Sequence, residues 1–334
     1  MKSEQALTSE AEVKEYLKQI SNEEQVYSIA LFDILGFSNY VENHGNKTIL
    51  ELYEKLLDLV HKQASISPEN DNLAGSVVPI RISEDWKHIR YAANANGFIN
   101  VCHFSDTFLI YVNYCLRKPG FWLADTKEEP YPLLLGEIGT SHYPIVYEKH
   151  PIYLSFLQTC MDFFCQAIVD GIPLRGCIGT GLAIMNQDKS IYLGEPLVEV
   201  AKGETAQNAL GIAFGKSFNN SHPVYNDYFI PYLAHIKDEK ESKNCKYLSP
   251  MMLDWARYWR KSPDFNKYSL KNCINKMNKN PKTSFYYDNT IKFFEFSSKN
   301  EKWSLEIKRD GIKDIVDYYD SVKKWYENAK LDHR

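Results

Sequence analysis

Two aspartates far apart in the chain, Asp33 and Asp106, stand where carboxylates can perform metal-bound phosphate chemistry. Around the first, the β-prone run Ile29, Ala30, Leu31 and Phe32 leads straight into Asp33; Ile34, Leu35 and a tight Gly36-Phe37 corner follow, and then an amphipathic helical pattern. A strand that ends on an acid and turns through Gly into a helix assembles a hard oxygen ligand, free backbone N–H groups and the positive end of a helix dipole. That combination suits a divalent metal carrying a triphosphate. An Asp that only caps the helix would need the same residue types.

The second acid lies between two strand-like stretches, 98–104 and 107–113, rich in Phe, Ile, Val and Tyr. Ser105-Asp106 between them is a turn pair of the type that joins antiparallel strands. A plain turn Asp is the ordinary alternative. Two aspartates on adjacent strand ends can instead hold two Mg²⁺ or Mn²⁺ ions about 3.5–4 Å apart. Zinc is not indicated, because His88, His103 and Cys102 are too few and poorly spaced.

Phe32-Asp33-Ile34-Leu35-Gly36-Phe37 resembles the metal-binding opening of the class III nucleotidyl cyclases, the adenylate and guanylate cyclase superfamily. In that family a second metal Asp sits in a hairpin turn, usually after Gly; here Ser105 takes that place before Asp106. A third element is similar to the family's strand, turn and helix. Arg175-Gly176-Cys177-Ile178-Gly179-Thr180-Gly181 matches the strand, Leu193-Gly194 the turn, and Val198-Glu199-Val200-Ala201-Lys202 the helix. The likeness spans residues 26 to 216. It implies a metal set of Asp33, Ile34 and Asp106, with Phe37, Cys102, Tyr192 and Glu199 on the substrate side. The implied catalytic residues are Asp33, Asp106 and Lys202.

The departures narrow the substrate. Glu199 stands near the position of an Asn that orients the ribose. Aligned on Gly194, Lys202 replaces an Arg that stabilises charge on the transferred phosphate; a solvated helix lysine is the alternative. Lys can act there as a point charge without Arg's planar fork. Four residues before the second metal Asp, adenylate cyclases carry Lys and guanylate cyclases Glu; this chain has Cys102, and the second base-reading position falls at Ile191 or Tyr192. A site that reads a base by hydrogen bonds rejects analogues lacking the partner group, so losing both groups argues against ordinary ATP or GTP.

Gly194 to Glu204 is similar to a helix of the bacterial pyrimidine cyclases of the Pycsar antiphage system. The resemblance implies conversion of UTP or CTP to cyclic UMP or cyclic CMP, a message to a separate effector protein, and a homodimer with composite sites. Alternatives are an adenylate or guanylate cyclase with unusual base contacts, and a non-catalytic nucleotide-binding regulator. A diguanylate cyclase would need a Gly-Gly-Asp-Glu-Phe signature, which is absent.

Bulk properties set limits. At 334 residues, 44% hydrophobic and 25% charged, the chain has the composition of a globular protein with a substantial core. A net charge of −4 gives no electrostatic case for nucleic-acid binding. No apolar run approaches membrane length and the first residues lack a signal-peptide core, so a cytoplasmic location is expected, with the seven cysteines reduced.

The patterns predict an α+β fold with a mainly antiparallel sheet: strand 26–33, helix 47–64, hairpin 98–113, helix 151–170, strand 173–185, helix 195–210 and strand 211–217. This order, with helices on one face, is that of a ferredoxin-like palm. Residues 1–25 form an N-terminal extension with one weak helix. The catalytic domain covers 26–235, with insertions at 66–96 and 115–150 that suit a lid or a dimer arm; Arg117 and Lys118 there could approach phosphate. Residues 236–334 form a C-terminal extension packing on the core. Within it, 249–261 reads as a capped aromatic helix, 285–298 as one or two strands, and 310–331 as an amphipathic helix.

Overall fold

The structure, a computed structural model, describes residues 22, 24–64, 99–112, 151–217, 229–238, 240–277 and 281–300. The weak N-terminal helix, both insertions with Arg117 and Lys118, His88 and the amphipathic helix at 310–331 lie outside the described residues.

Chain order runs β1 (Gln25–Ile34), α1 (Phe37–Ala64), β2 (Ile99–Phe104), β3 (Thr107–Val112), α2 (Pro151–Asp170), β4 (Leu174–Asn186), β5 (Ile191–Gly194), α3 (Glu195–Thr205), β6 (Gly211–Gly215), β7 (Phe229–Pro231), β8 (Leu248–Leu253), α4 (Trp255–Lys261), α5 (Leu270–Met277) and α6 (Ser284–Lys299). The fold is α+β. One eight-stranded, mostly antiparallel open sheet has the order β2-β3-β1-β4-β6-β8-β7, with β5 paired to β4. Among the described strands the one parallel pair is β4 with β6.

Strand alternation divides β1 between two cores. Ala30, Phe32 and Ile34 belong to the larger one, with Leu56 and Val60 of α1, Phe163 and Phe164 of α2, and Trp255 and Phe293 from further along the chain. Tyr27 and Ile29 face the other way and join Cys177, Val200, Ala206 and Ala213 in a smaller core. Helices therefore cover both faces, which corrects the one-face expectation. Helix α3 lies on the second face, where Gly179 and Gly181 of β4 leave room for Glu199, Val200 and Pro196 to approach the sheet.

Helix α2 is apolar nearly all round and stops at Gly171, whose φ of 80° continues no helix. The amides of Gly171 and Ile172 donate to the carbonyls of Ile168 and Ala167 at 3.1 and 2.8 Å, a Schellman closure. Helix α1 begins ten residues before the expected start, and Gly45 (φ 74°, ψ 156°) kinks it between two helical pieces. Helix α3 ends at Thr205 rather than at residue 210.

Two further expectations are corrected beyond residue 236. Ser249 to Leu253 do not open a helix; they lie in β8, between β6 and β7 in the same sheet. The aromatic helix begins at Trp255, with the Asp254 carboxylate accepting from the amide of Arg257. The stretch 285–298 is helical, not stranded, and falls within α6, which buries Tyr286, Tyr287, Thr290, Phe293 and Ser297. Burial at that helical spacing outweighs the β propensity of its aromatic residues.

Candidate active site

Register brings the two aspartates together. Asp33 pairs with Thr107 on β3 and with Arg175 on β4, so Asp106, the residue before Thr107, stands beside the end of β1. The amide of Leu35 donates to the carbonyl of Pro173 at 2.8 Å, fixing the exit of β1. Gly36 takes φ 74° at the corner before α1, a conformation that suits glycine. Ser105, where a Gly was expected by resemblance, adopts φ 54°, and its carbonyl accepts from the Tyr53 hydroxyl at 2.8 Å. Thus α1 holds the hairpin turn that carries Asp106.

The electrostatics at Asp33 favour a cation. Burial, then repulsion from Asp106, raise its pKa above the ordinary carboxylate value, while Arg175 and a hydrogen bond from Thr107 pull it back. The Thr107 hydroxyl donates to Oδ1 at 3.3 Å, and Arg175 Nη2 lies 3.8 Å from Oδ2. Arg175 is closer to Glu204 of α3, at 2.5 Å from Oε1. Burial pushes the Glu204 carboxyl up to about 7, with Arg175 the main opposing influence. Sequence reasoning took Arg175 only as part of a strand motif and gave Glu204 no role. An Arg at the start of a strand facing an expected metal acid was the available signal.

The donor set fits Mg²⁺ or Mn²⁺. These ions take oxygen ligands, and Mg²⁺ usually keeps waters while binding one or two carboxylates plus substrate phosphates. Ile34, an apolar residue, can offer only its carbonyl oxygen. Among the described residues no three His, Cys, Asp or Glu side chains gather into a group able to hold a metal by themselves.

A second cluster joins Cys102 and Tyr192. The two side chains hydrogen-bond, and burial is the main cause that pushes the Cys102 thiol up to about 11. The Tyr192 ring stands 5.6 Å from that of Phe104, an exposed residue, and 6.3 Å from that of Tyr111. Phe37 packs instead at the margin of the larger core.

Glu199 and Lys202 form a third cluster. Ser217 donates its amide and hydroxyl to the Glu199 carboxylate at 2.7 and 2.6 Å. Burial raises the Glu199 pKa in spite of those bonds. Lys202 donates to the Tyr247 hydroxyl at 3.0 Å, its ammonium 4.6 Å from the ring centre. Tyr247 was not singled out in the sequence, since nothing in its surroundings marked it. A cavity of about 420 Å³ opens here, lined by Thr180, Glu199, Lys216, Ser217 and Tyr247 among others. Glu199 abuts Gly179, four residues along β4 from Arg175, or about 13 Å at the usual strand rise. Within one chain, Glu199 and Lys202 are not brought to the aspartate pair.

No family model matches this chain, and no curated protein matches it in sequence. No helix among the described residues is long and apolar enough to cross a membrane.

Proposed function

We propose that this chain is a pyrimidine nucleotide cyclase that converts UTP or CTP to the 3′,5′-cyclic monophosphate and pyrophosphate. The observation that carries the reading is the juxtaposition of Asp33 and Asp106 at adjoining strand ends, their charge only partly balanced by Arg175. The ribose 3′-oxygen would bond to the α-phosphorus as the bond to the bridging oxygen of pyrophosphate breaks, the 3′-hydroxyl proton passing to solvent or to the departing pyrophosphate. Asp33, Asp106 and the Ile34 carbonyl would hold two Mg²⁺ or Mn²⁺ ions, which when bound neutralise triphosphate charge and make the attacking hydroxyl more acidic.

The order β2-β3-β1-β4, with α1 after β1 and α2 after β3, supports a ferredoxin-like palm. The separation of Glu199 and Lys202 from the aspartates supports sites shared across a homodimer. So do the exposed apolar side chains Leu193 and Val198 near that end of α3. Phe104, Cys102 and Tyr192 present an aromatic and weakly polar surface without the charged base reader of purine cyclases. In this reading the product is a second messenger of antiphage defence that acts on a separate effector protein.

One observation favours a nucleotide-binding regulator instead: Arg175 Nη2, 3.8 Å from Asp33 Oδ2, offsets part of the charge that would draw a catalytic metal. Incubating the purified protein with each of four NTPs and Mn²⁺, then identifying products by mass spectrometry, separates these readings. Cyclic UMP or cyclic CMP is expected. Cyclic AMP or cyclic GMP alone would transfer the proposal to a purine cyclase, and no product from any NTP would favour the regulator.

A further inference from the structure

Arg175 faces two acids and is committed to one. Its strand partner is Asp33, a carboxylate of the kind that a guanidinium often grips with two parallel hydrogen bonds. Yet Nη2 lies 2.5 Å from Glu204 Oε1 and 3.8 Å from Asp33 Oδ2. Tyr286 of α6 reinforces that choice: the guanidinium carbon stands 5.2 Å from its ring centre, and Nη1 donates to its hydroxyl at 3.4 Å.

Glu204 is itself held in place. It sits in the last turn of α3, whose neighbour Gly203 is pressed against Cys177 and Leu248. Just beyond, the Gln207 side chain donates to the Gly176 carbonyl at 2.8 Å. The Arg175 and Glu204 side chains are only 9% and 4% exposed, whereas Asp33 retains 24%. A buried guanidinium needs an acid. If Glu204 could not serve, the carboxylate next in reach is Asp33, and that pairing would occupy the oxygens a cation needs.

We propose that Glu204 is a positioning residue: by holding Arg175, it keeps the Asp33 carboxylate open to a divalent cation. This rests on reading Asp33 and Asp106 as a cation site. It implies that the acid at the end of α3 controls metal occupancy through Arg175 without touching the metal.

The test is Mn²⁺ binding alone, read by electron paramagnetic resonance on the full chain, so that no turnover is required. Glu204→Gln should weaken Mn²⁺ binding by about tenfold or more, the range seen when outer partners of metal ligands are removed. Adding Arg175→Gln to Glu204→Gln should restore most of the affinity, because no guanidinium is left to fall onto Asp33; a merely structural role for Glu204 predicts no such rescue. Unchanged binding in Glu204→Gln, or a double variant no better than the single one, would overturn the proposal alone. If the wild-type chain binds no Mn²⁺, or Asp33→Asn binds it as well as wild type, the cation site itself fails and the proposal with it. Should Glu204→Gln not fold by circular dichroism, Arg175→Gln alone decides: equal or tighter binding supports the proposal, and weaker binding overturns it.

Discussion

The backbone amide of Ile34 donates to the carbonyl oxygen of Asp106 at 3.1 Å. This one bond ties the end of β1 to the hairpin turn and sets both acidic side chains beside the same corner. Asp33→Ala and Asp106→Ala should therefore each lower cyclic product formation by about a hundredfold or more, on the scale of lost transition-state charge stabilisation. Folding should survive, since either change removes a carboxylate that repels its neighbour and leaves the backbone bond intact. Thermal melts and sizing of the variants check this; near wild-type turnover in either would remove that residue from the chemistry.

Glu199 abuts Gly179, about 13 Å along β4 from the Arg175 that pairs with Asp33, and Lys202 is turned to Tyr247, so a complete site would draw on two protomers. Mixing inactive Asp33→Ala with inactive Lys202→Ala should then restore activity. In a random mixture half the dimers pair the two variants, and each carries one intact site of two, giving about a quarter of the wild-type rate for a symmetric dimer. No recovery after subunit exchange would reject the shared site.

Asp162 of α2 is buried and accepts a short hydrogen bond from the Tyr258 hydroxyl. Burial pushes its carboxyl from the ordinary 3.8 to about 7, with the Tyr258 bond opposing and Asp264 adding to the rise. The folded state thus keeps a proton that the unfolded chain gives up, so stability should fall as pH climbs from about 4 to about 7. Asp162→Asn should flatten that limb and exceed wild type above pH 7 by about 2–4 kcal/mol at most. Chemical unfolding at pH 5 and pH 8 measures it; equal pH slopes in the two proteins would refute it.

At Gly203, α3 packs tightly against the sheet. A Cβ there would meet Cys177 Sγ at 2.6 Å and Leu248 Cδ2 at 3.1 Å. Gly203→Ala should cost about 1–3 kcal/mol by overpacking, despite the better helix propensity of Ala. A melting temperature equal to wild type would mean that the helix can lift without penalty.

The hairpin, the turn that carries Asp106, the strand end that carries Asp33 and helix α2 were legible in the sequence because each rests on local chemistry: alternation, a turn pair, a glycine stop. The misread segments are those where tertiary burial overrides local propensity. Tyr286, Thr290, Phe293 and Ser297 recur at helical spacing, but Phe and Tyr are equally at home in strands, and only the packing of α6 decides. Ser249 to Leu253 is too short to announce a strand before its neighbours in the sheet are known. Glu204 and Tyr247 went unassigned because their partners, Arg175 and Lys202, lie 29 and 45 residues away. No spacing rule links residues brought together by folding.

Strand β8 has a consequence for synthesis. Strands β1 to β4, which frame Asp33 and Asp106, have been translated by residue 186, whereas among the described residues β7 pairs only with β8, which follows it. A nascent chain would complete the acid-bearing half of the sheet first and leave the opposite margin unzipped until residues 248–253 emerge. Protease digestion of stalled chains would see protection arrive in that sequence, or would show that the two halves mature together. Shortening the gene at residue 236 would yield a protein with a raw, adhesive border and not a tidy smaller one.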